Sequence, residues 1–181
     1  MNEIAVFGGG CFWCTEAVFK MLKGVVSVTP GYAGGTTENP TYWKLHSDMG
    51  DHAEVVRIEF SPAEITFQNL LTVFFATHDA TQVDRQGYDV GKEYRSIILY
   101  TTEEQKSEAS SFIQKLNDSA TEGDPIATEV APLTKFYEAE KEHLNFYQQN
   151  KNSPYCQVII APKLQKVQQK FAELLESQHP G

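Results

Sequence analysis

The stretch Ile4-Ala5-Val6-Phe7-Gly8-Gly9-Gly10-Cys11-Phe12-Trp13-Cys14 decides how the chain is read. Its first four residues form an apolar strand, three glycines follow, and Cys14, Ala17, Val18, Met21 and Leu22 then recur at helical spacing. Cys11 therefore falls at a strand-to-helix turn. The first turn of a helix has unpaired N–H groups and the positive end of the macrodipole, which predicts a Cys11 pKa below the free value of about 8.5. Glycines without Cβ turn sharply and let a substrate approach closely. The bland alternative is a small buried cysteine beside a tight turn. The triple glycine and the aromatic pair Phe12-Trp13 favour a nucleophile instead.

Working outward, Gly24 is expected to stop the first helix, and Val25–Val28 to form a second strand. Residues 30–42, dense in glycine, proline and asparagine, read as a loop ordered by Tyr32, Tyr42 and Trp43. In Glu54–Phe60, alternation puts Val56, Ile58 and Phe60 on one face, and Glu54 shares their parity. A carboxyl pointing the way the core residues point is desolvated, which raises its pKa toward the range of a proton donor; a strand starting one residue later leaves it solvated. Thr66 caps a helix whose Phe67, Leu70, Leu71, Phe74 and Phe75 make a core stripe. A second long polar loop spans 78–95. Ser96–Thr101 is a strand, and Thr102 with Gln105 starts a capped helix. A short strand is expected at 126–131, with helices at 137–149 and 163–177.

The first four strands and two helices run β-α-β-β-α-β, so the expected class is α+β, a ferredoxin-like split βαβ core with additional helices and long loops. A chain of 181 residues without repeats or linkers is expected to be a single catalytic domain spanning 1–181. A net charge of −9 argues against nucleic-acid or anionic-membrane partners. No apolar run reaches bilayer length, and the start is too short for a signal h-region, so a cytoplasmic protein is expected. Three cysteines do not make a disulfide framework, and Cys156 lacks the neighbours of a four-ligand zinc site; no metal and no cofactor are expected. His46, His78, His143 and His179 read as surface or loop residues, His52 as a structural hydrogen-bonder. Asp51, if close, adds charge that raises the Glu54 pKa.

Several motifs together resemble the peptide methionine sulfoxide reductase A family: Gly10-Cys11-Phe12-Trp13, Asn39-Pro40-Thr41-Tyr42, His52-Ala53-Glu54, and Arg85-Gln86-Gly87 through Asp89 and Gly91 to Tyr94-Arg95. The resemblance implies that Cys11 attacks the sulfur of the S-epimer of methionine sulfoxide, free or in proteins, while Glu54 protonates its oxygen. Tyr42 and Tyr94 would hold that oxygen, Phe12 and Trp13 would enclose the S-methyl group, and Asp89 would orient the site. That division suits the chemistry, because a sulfoxide oxygen leaves only when protonated. The sulfenic acid left on Cys11 needs a second thiol and then an external dithiol such as thioredoxin. By resemblance Cys156, in a mobile Tyr-Cys tail, is the resolving cysteine; Cys14, three residues from Cys11, is the rival. Asp51 and Ala80 depart from the family's usual glycine and proline. A monomer is expected. The competing readings are a thioredoxin-like dithiol oxidoreductase using Cys11 and Cys14, without the usual Gly-Pro between them, and a non-catalytic module that binds oxidised methionine.

Overall fold

A computed structural model describes residues 1–120 and 123–175. Along the chain run β1 (Glu3–Gly9), α1 (Phe12–Phe19), β2 (Val25–Ala33), α2 (Tyr42–Leu45), β3 (Ala53–Phe60) and α3 (Phe67–Ala76). A small hairpin follows, β4 (Arg85–Gln86) and β5 (Asp89–Val90), then a 3-10 turn at Lys92–Tyr94. The chain continues through β6 (Ser96–Tyr100), α4 (Glu103–Ser119), β7 (Glu129–Pro132), β8 (Tyr137–Glu138), α5 (Phe146–Gln149) and α6 (Ala161–Lys170).

Six strands form one mixed sheet in the order β7-β6-β1-β3-β2-β8, antiparallel throughout except for the parallel pair β6–β7. Alternation along the strands divides the apolar residues between its faces. Phe7, Val56, Ile58, Phe60 and Ile98 pack with α1 and α3, whereas Val6, Val55, Ile97 and Leu99 pack with Leu133 and Phe136. The Thr66 cap is present as expected, its hydroxyl accepting from Asn69 N (3.0 Å) while Asn69 Oδ1 accepts from Thr66 N (3.1 Å). Thr102 caps α4 likewise, although the Gln105 side chain reaches back to Thr101 N rather than to Thr102 N.

Five local expectations are corrected. Residues 30–33 continue β2 instead of opening a loop, because Gly31–Ala33 pair with β3 and the Pro30 carbonyl accepts the Ala139 N–H (3.0 Å). The helix expected at 137–149 is broken into β8, a 3-10 turn at Lys141–His143 and α5. Tertiary anchors outweigh helix propensity there: Tyr137 pairs with Tyr32, Glu140 is tied to Tyr32 and Tyr42, and Asn145 takes φ 55°. The last helix ends at Lys170 and begins earlier than Lys163, with Pro162 in its first turn where no N–H is required. A π-helical turn, Cys156–Ile160, leads into it, so the Tyr-Cys segment is helical and Cys156 fully buried rather than on a mobile tail. The strand expected from 126 starts at Glu129. The expected end of the last helix and His179 lie outside the described residues.

Candidate active site

In the β1–β3 register Phe7 faces Val56, so the glycine end of β1 lies against the start of β3, where Glu54 sits. A Cβ on Gly8 would stand 2.9 Å from the Glu54 carbonyl oxygen, and Gly10 has φ +99° with Gln86 Cγ 2.7 Å from where its Cβ would be. Both glycines are needed for this approach and turn. Cys11 follows as the N-cap residue of α1, its carbonyl accepting from Cys14 N at 3.1 Å.

Glu54 is 1% exposed. Its Oε1 accepts the Phe12 N–H (3.1 Å), one of the free donors of the first turn of α1, and its Oε2 is 2.8 Å from His46 Nε2. Burial pushes the Glu54 carboxyl up from its ordinary value, with Asp89 adding to the rise and the His46 and Phe12 contacts opposing it. The parity argument for a desolvated carboxyl holds. Asp51 contributes nothing to it, because its carboxylate turns away to accept from the backbone N–H and hydroxyl groups of Thr36 and Thr37. Burial, the largest single influence, pushes Asp51 up, but the hydrogen bonds from Thr36 and Thr37 together outweigh it and hold the carboxyl well below its usual range.

The Cys11 pKa is the main electrostatic correction. It is raised, first by burial, then by its hydrogen bond with Cys14 and the charge of Glu54. The helix terminus supplies about 0.3–1 kcal/mol, less than the 1.36 kcal/mol of one pKa unit, whereas full burial is worth as much as about 3–5 units. Cys14 moves the other way, to about 7, chiefly through the Cys11 hydrogen bond, helped by Lys163 and opposed by burial. The two thiols titrate as one pair, with Cys11 pushed up and Cys14 pushed down. Cys14 Sγ is 3.6 Å from the Tyr155 hydroxyl, which donates to Asp89 Oδ2 at 2.9 Å. Cys11, Cys14, Asp89, Tyr155, Val158, Ile159 and Lys163 line a cleft of about 490 Å³.

The other expected residues gather around this pair. The Tyr42 ring lies tilted against His46, centroids 4.2 Å apart, and the Tyr94 hydroxyl is 3.5 Å from His46 Nδ1; burial keeps both phenols protonated by raising their pKa values. Cys156 packs with Cys11, Cys14 and Ile160. Trp13 and Phe12 differ in access. Phe12 is fully buried among Tyr32, Tyr42 and His143, while Trp13 is half-buried, one face stacked on Phe146 at 3.7 Å.

The histidine reading needs the largest revision. His52 does bond structurally, between Gly35 N and the Thr37 carbonyl. His46 belongs to the site, and its spacing of four from Tyr42 was the available signal. His143 is buried and accepts from Trp13 Nε1 at 3.1 Å. His78 hydrogen-bonds the Phe74 carbonyl and Ser96 Oγ, and burial pushes it down to about 4. Among the described residues, Glu140, Glu142 and His143 cluster closely enough to hold an ion. Glu140 already accepts from the Tyr32 hydroxyl and Tyr42 N, and His143 from Trp13. No helix among the described residues is long and apolar enough to cross a membrane.

The sequence profile of the peptide methionine sulfoxide reductase family matches residues 3–175. The Sulfolobus acidocaldarius protein named peptide methionine sulfoxide reductase MsrA is 53% identical over 94% of this chain and 96% of its own length. The reduced form of Mxr1 from Saccharomyces cerevisiae superposes with a TM-score of 0.79 at 29% identity, covering 86% of this chain and 89% of that one. Mxr1 in complex with Trx2 gives 0.57 at 24% identity, over 80% and 84%.

Proposed function

The chain belongs to the peptide methionine sulfoxide reductase family, and from that premise we propose that Cys11 is its nucleophile and Glu54 its proton donor. The enzyme reduces the S-epimer of methionine sulfoxide, free or in proteins, to methionine. One observation carries the assignment of roles: Glu54, buried and held with a raised pKa, is hydrogen-bonded to the residue adjoining Cys11.

The steps follow from the charges. Cys11 passes its proton to the Cys14 thiolate, so the sulfur facing the substrate becomes the anion. That thiolate attacks the sulfoxide sulfur while the Glu54 carboxyl gives its proton to the oxygen, with the Tyr42 and Tyr94 hydroxyls as donors around it. The oxygen passes to Cys11 as a sulfenic acid, the S–O bond to the substrate breaks, and methionine departs. Trp13, Tyr94 and Tyr155, packed around Cys11, supply the apolar hollow for the S-methyl group, backed by Phe12; Asp89 holds Tyr155 in place.

Cys14 is the proposed resolving thiol. It now carries the proton taken from Cys11, sits one helical turn away and condenses with the sulfenic acid, releasing water and leaving a Cys11–Cys14 disulfide. Cys156, packed in the same cluster, is the alternative resolving thiol, and its mark would be a Cys11–Cys156 disulfide. An external dithiol then supplies the two electrons and two protons that restore the thiols. A thioredoxin-type protein is proposed for that step, since the yeast relative has been solved in complex with Trx2.

The β1-α1-β2-β3-α3-β6 framework, with sheet order β6-β1-β3-β2, is read as a ferredoxin-like split βαβ core within one domain. Three free thiols suit a reducing cytoplasm, and a monomer is proposed. The test is Cys11→Ser, which should abolish methionine sulfoxide reduction; turnover above about 1% of wild type would overturn the nucleophile assignment. Insulin reduction insensitive to Glu54→Gln would favour the dithiol oxidoreductase instead.

A further inference from the structure

His46 stands between two carboxylates. Its Nε2 is 2.8 Å from Glu54 Oε2 and its Nδ1 is 3.1 Å from Glu93 Oε1. Its side chain is 21% exposed, against 1% for Glu54, so the imidazole is the boundary between water and the buried acid. The other titratable groups facing it are Tyr42 and Tyr94, whose rings lie 4.2 and 5.5 Å away, the Tyr94 hydroxyl at 3.5 Å from Nδ1, and, on the side of the 3-10 turn at Lys141–His143, His143.

Two proton arrangements fit these distances. In one, an imidazolium donates to both carboxylates. In the other, Nδ1–H donates to Glu93 while Nε2 accepts the Glu54 hydroxyl hydrogen. Moving one proton along the Nε2–Oε2 hydrogen bond interconverts them. Glu93 selects the tautomer protonated on Nδ1, which leaves Nε2 free to exchange with Glu54.

We propose that His46 is a positioning residue that reloads Glu54 with a proton in every catalytic cycle, with Glu93 fixing its tautomer. The inference rests on Glu54 being the donor to the sulfoxide. Once that proton has gone, a buried carboxylate is left with no direct path to water, a costly state unless a neighbour neutralises it. The imidazolium returns a proton to Glu54 through Nε2 and becomes neutral. Once Glu54 has spent that proton on the next substrate, Nε2 is again a bare acceptor and is reprotonated from solvent past the exposed part of the ring, with Nδ1–H still held by Glu93. Electrons are not involved, and each cycle consumes one solvent proton at His46 while one is released from the thiol pair. Burial lowers the His46 pKa, but the two carboxylates outweigh it and raise it overall, Glu54 contributing most.

The test uses the full chain with methionine sulfoxide and dithiothreitol. His46→Gly should lower kcat about tenfold or more with KM within about twofold, and added imidazole should restore kcat saturably without affecting the wild type. Glu93→Gln should move the basic limb of the kcat profile to lower pH, because removing a carboxylate weakens proton retention by the imidazole. The proposal is overturned if His46→Gly keeps wild-type kcat, if imidazole leaves its deficit unchanged, or if the Glu93→Gln profile superposes on wild type. Should His46→Gly fail to fold by circular dichroism, the Glu93→Gln profile decides alone. Wild-type turnover in Glu54→Gln would instead overturn the donor assignment, a separate outcome.

Discussion

Replacing Glu54 with glutamine keeps the shape of the side chain and its acceptor for the Phe12 N–H (3.1 Å) but removes the acidic proton. Loss of a positioned proton donor costs about 10²–10⁴ in rate, or roughly 2.7–5.5 kcal/mol at 1.36 kcal/mol per decade. The loss should fall on kcat, because the ground-state contacts survive. The pH dependence carries a sign. With its folded pKa raised above the unfolded value of about 4.3, Glu54 stays protonated beyond the usual carboxyl range, and wild-type activity falls as pH rises through the folded value. That limb should vanish in the variant. Stability runs the same way: a raised carboxyl stabilises the fold fully below its unfolded pKa and loses that contribution as pH rises through the folded one. Glu54→Gln should therefore melt at or above the wild-type temperature at neutral pH. Initial rates of methionine formation between pH 5 and 9, with thermal melts alongside, make the assay. A kcat above about a tenth of wild type with the basic limb intact would refute the reasoning.

Two further expectations concern the frame. Asp51→Ala removes the acceptor for Thr36 and Thr37 and should cost about 1 kcal/mol at neutral pH. Because the Asp51 pKa is depressed, that contribution is present above the unfolded pKa of about 3.9 and lost as pH falls below it, so variant and wild-type melting curves should converge in acid. Thr66→Ala breaks the reciprocal cap of α3 and should lower stability by about 1 kcal/mol without changing kcat, measured by urea denaturation and the same rate assay.

Where period and punctuation act locally, the sequence was legible. The glycine turn into α1, the parity that buries Glu54 and the Thr66 cap needed no knowledge of distant residues. The misreadings arise where distant contacts decide. Pro30–Ala33 has loop composition yet lies between β3 and β8. Residues 137–149 have helical periodicity, but Glu140 and Asn145 are claimed by Tyr32, Tyr42 and Glu16. His46 looks like an ordinary polar residue after a tyrosine, and only the packing of α2 against β3 and the Lys92–Tyr94 turn makes it a bridge between two carboxylates. Cys11 illustrates a competition of magnitudes: the helix end was visible in the sequence, while the burial that outweighs it was not.

The central claim is that Cys11 takes the oxygen and Cys14 then closes on it. Mass spectrometry of the enzyme mixed with one equivalent of methionine sulfoxide and no reductant tests this directly. One methionine per chain is predicted, with a loss of two hydrogens confined to the tryptic peptide Met1–Lys20, which holds both Cys11 and Cys14. Methionine formed with Cys11 still a free, unoxidised thiol would contradict the account.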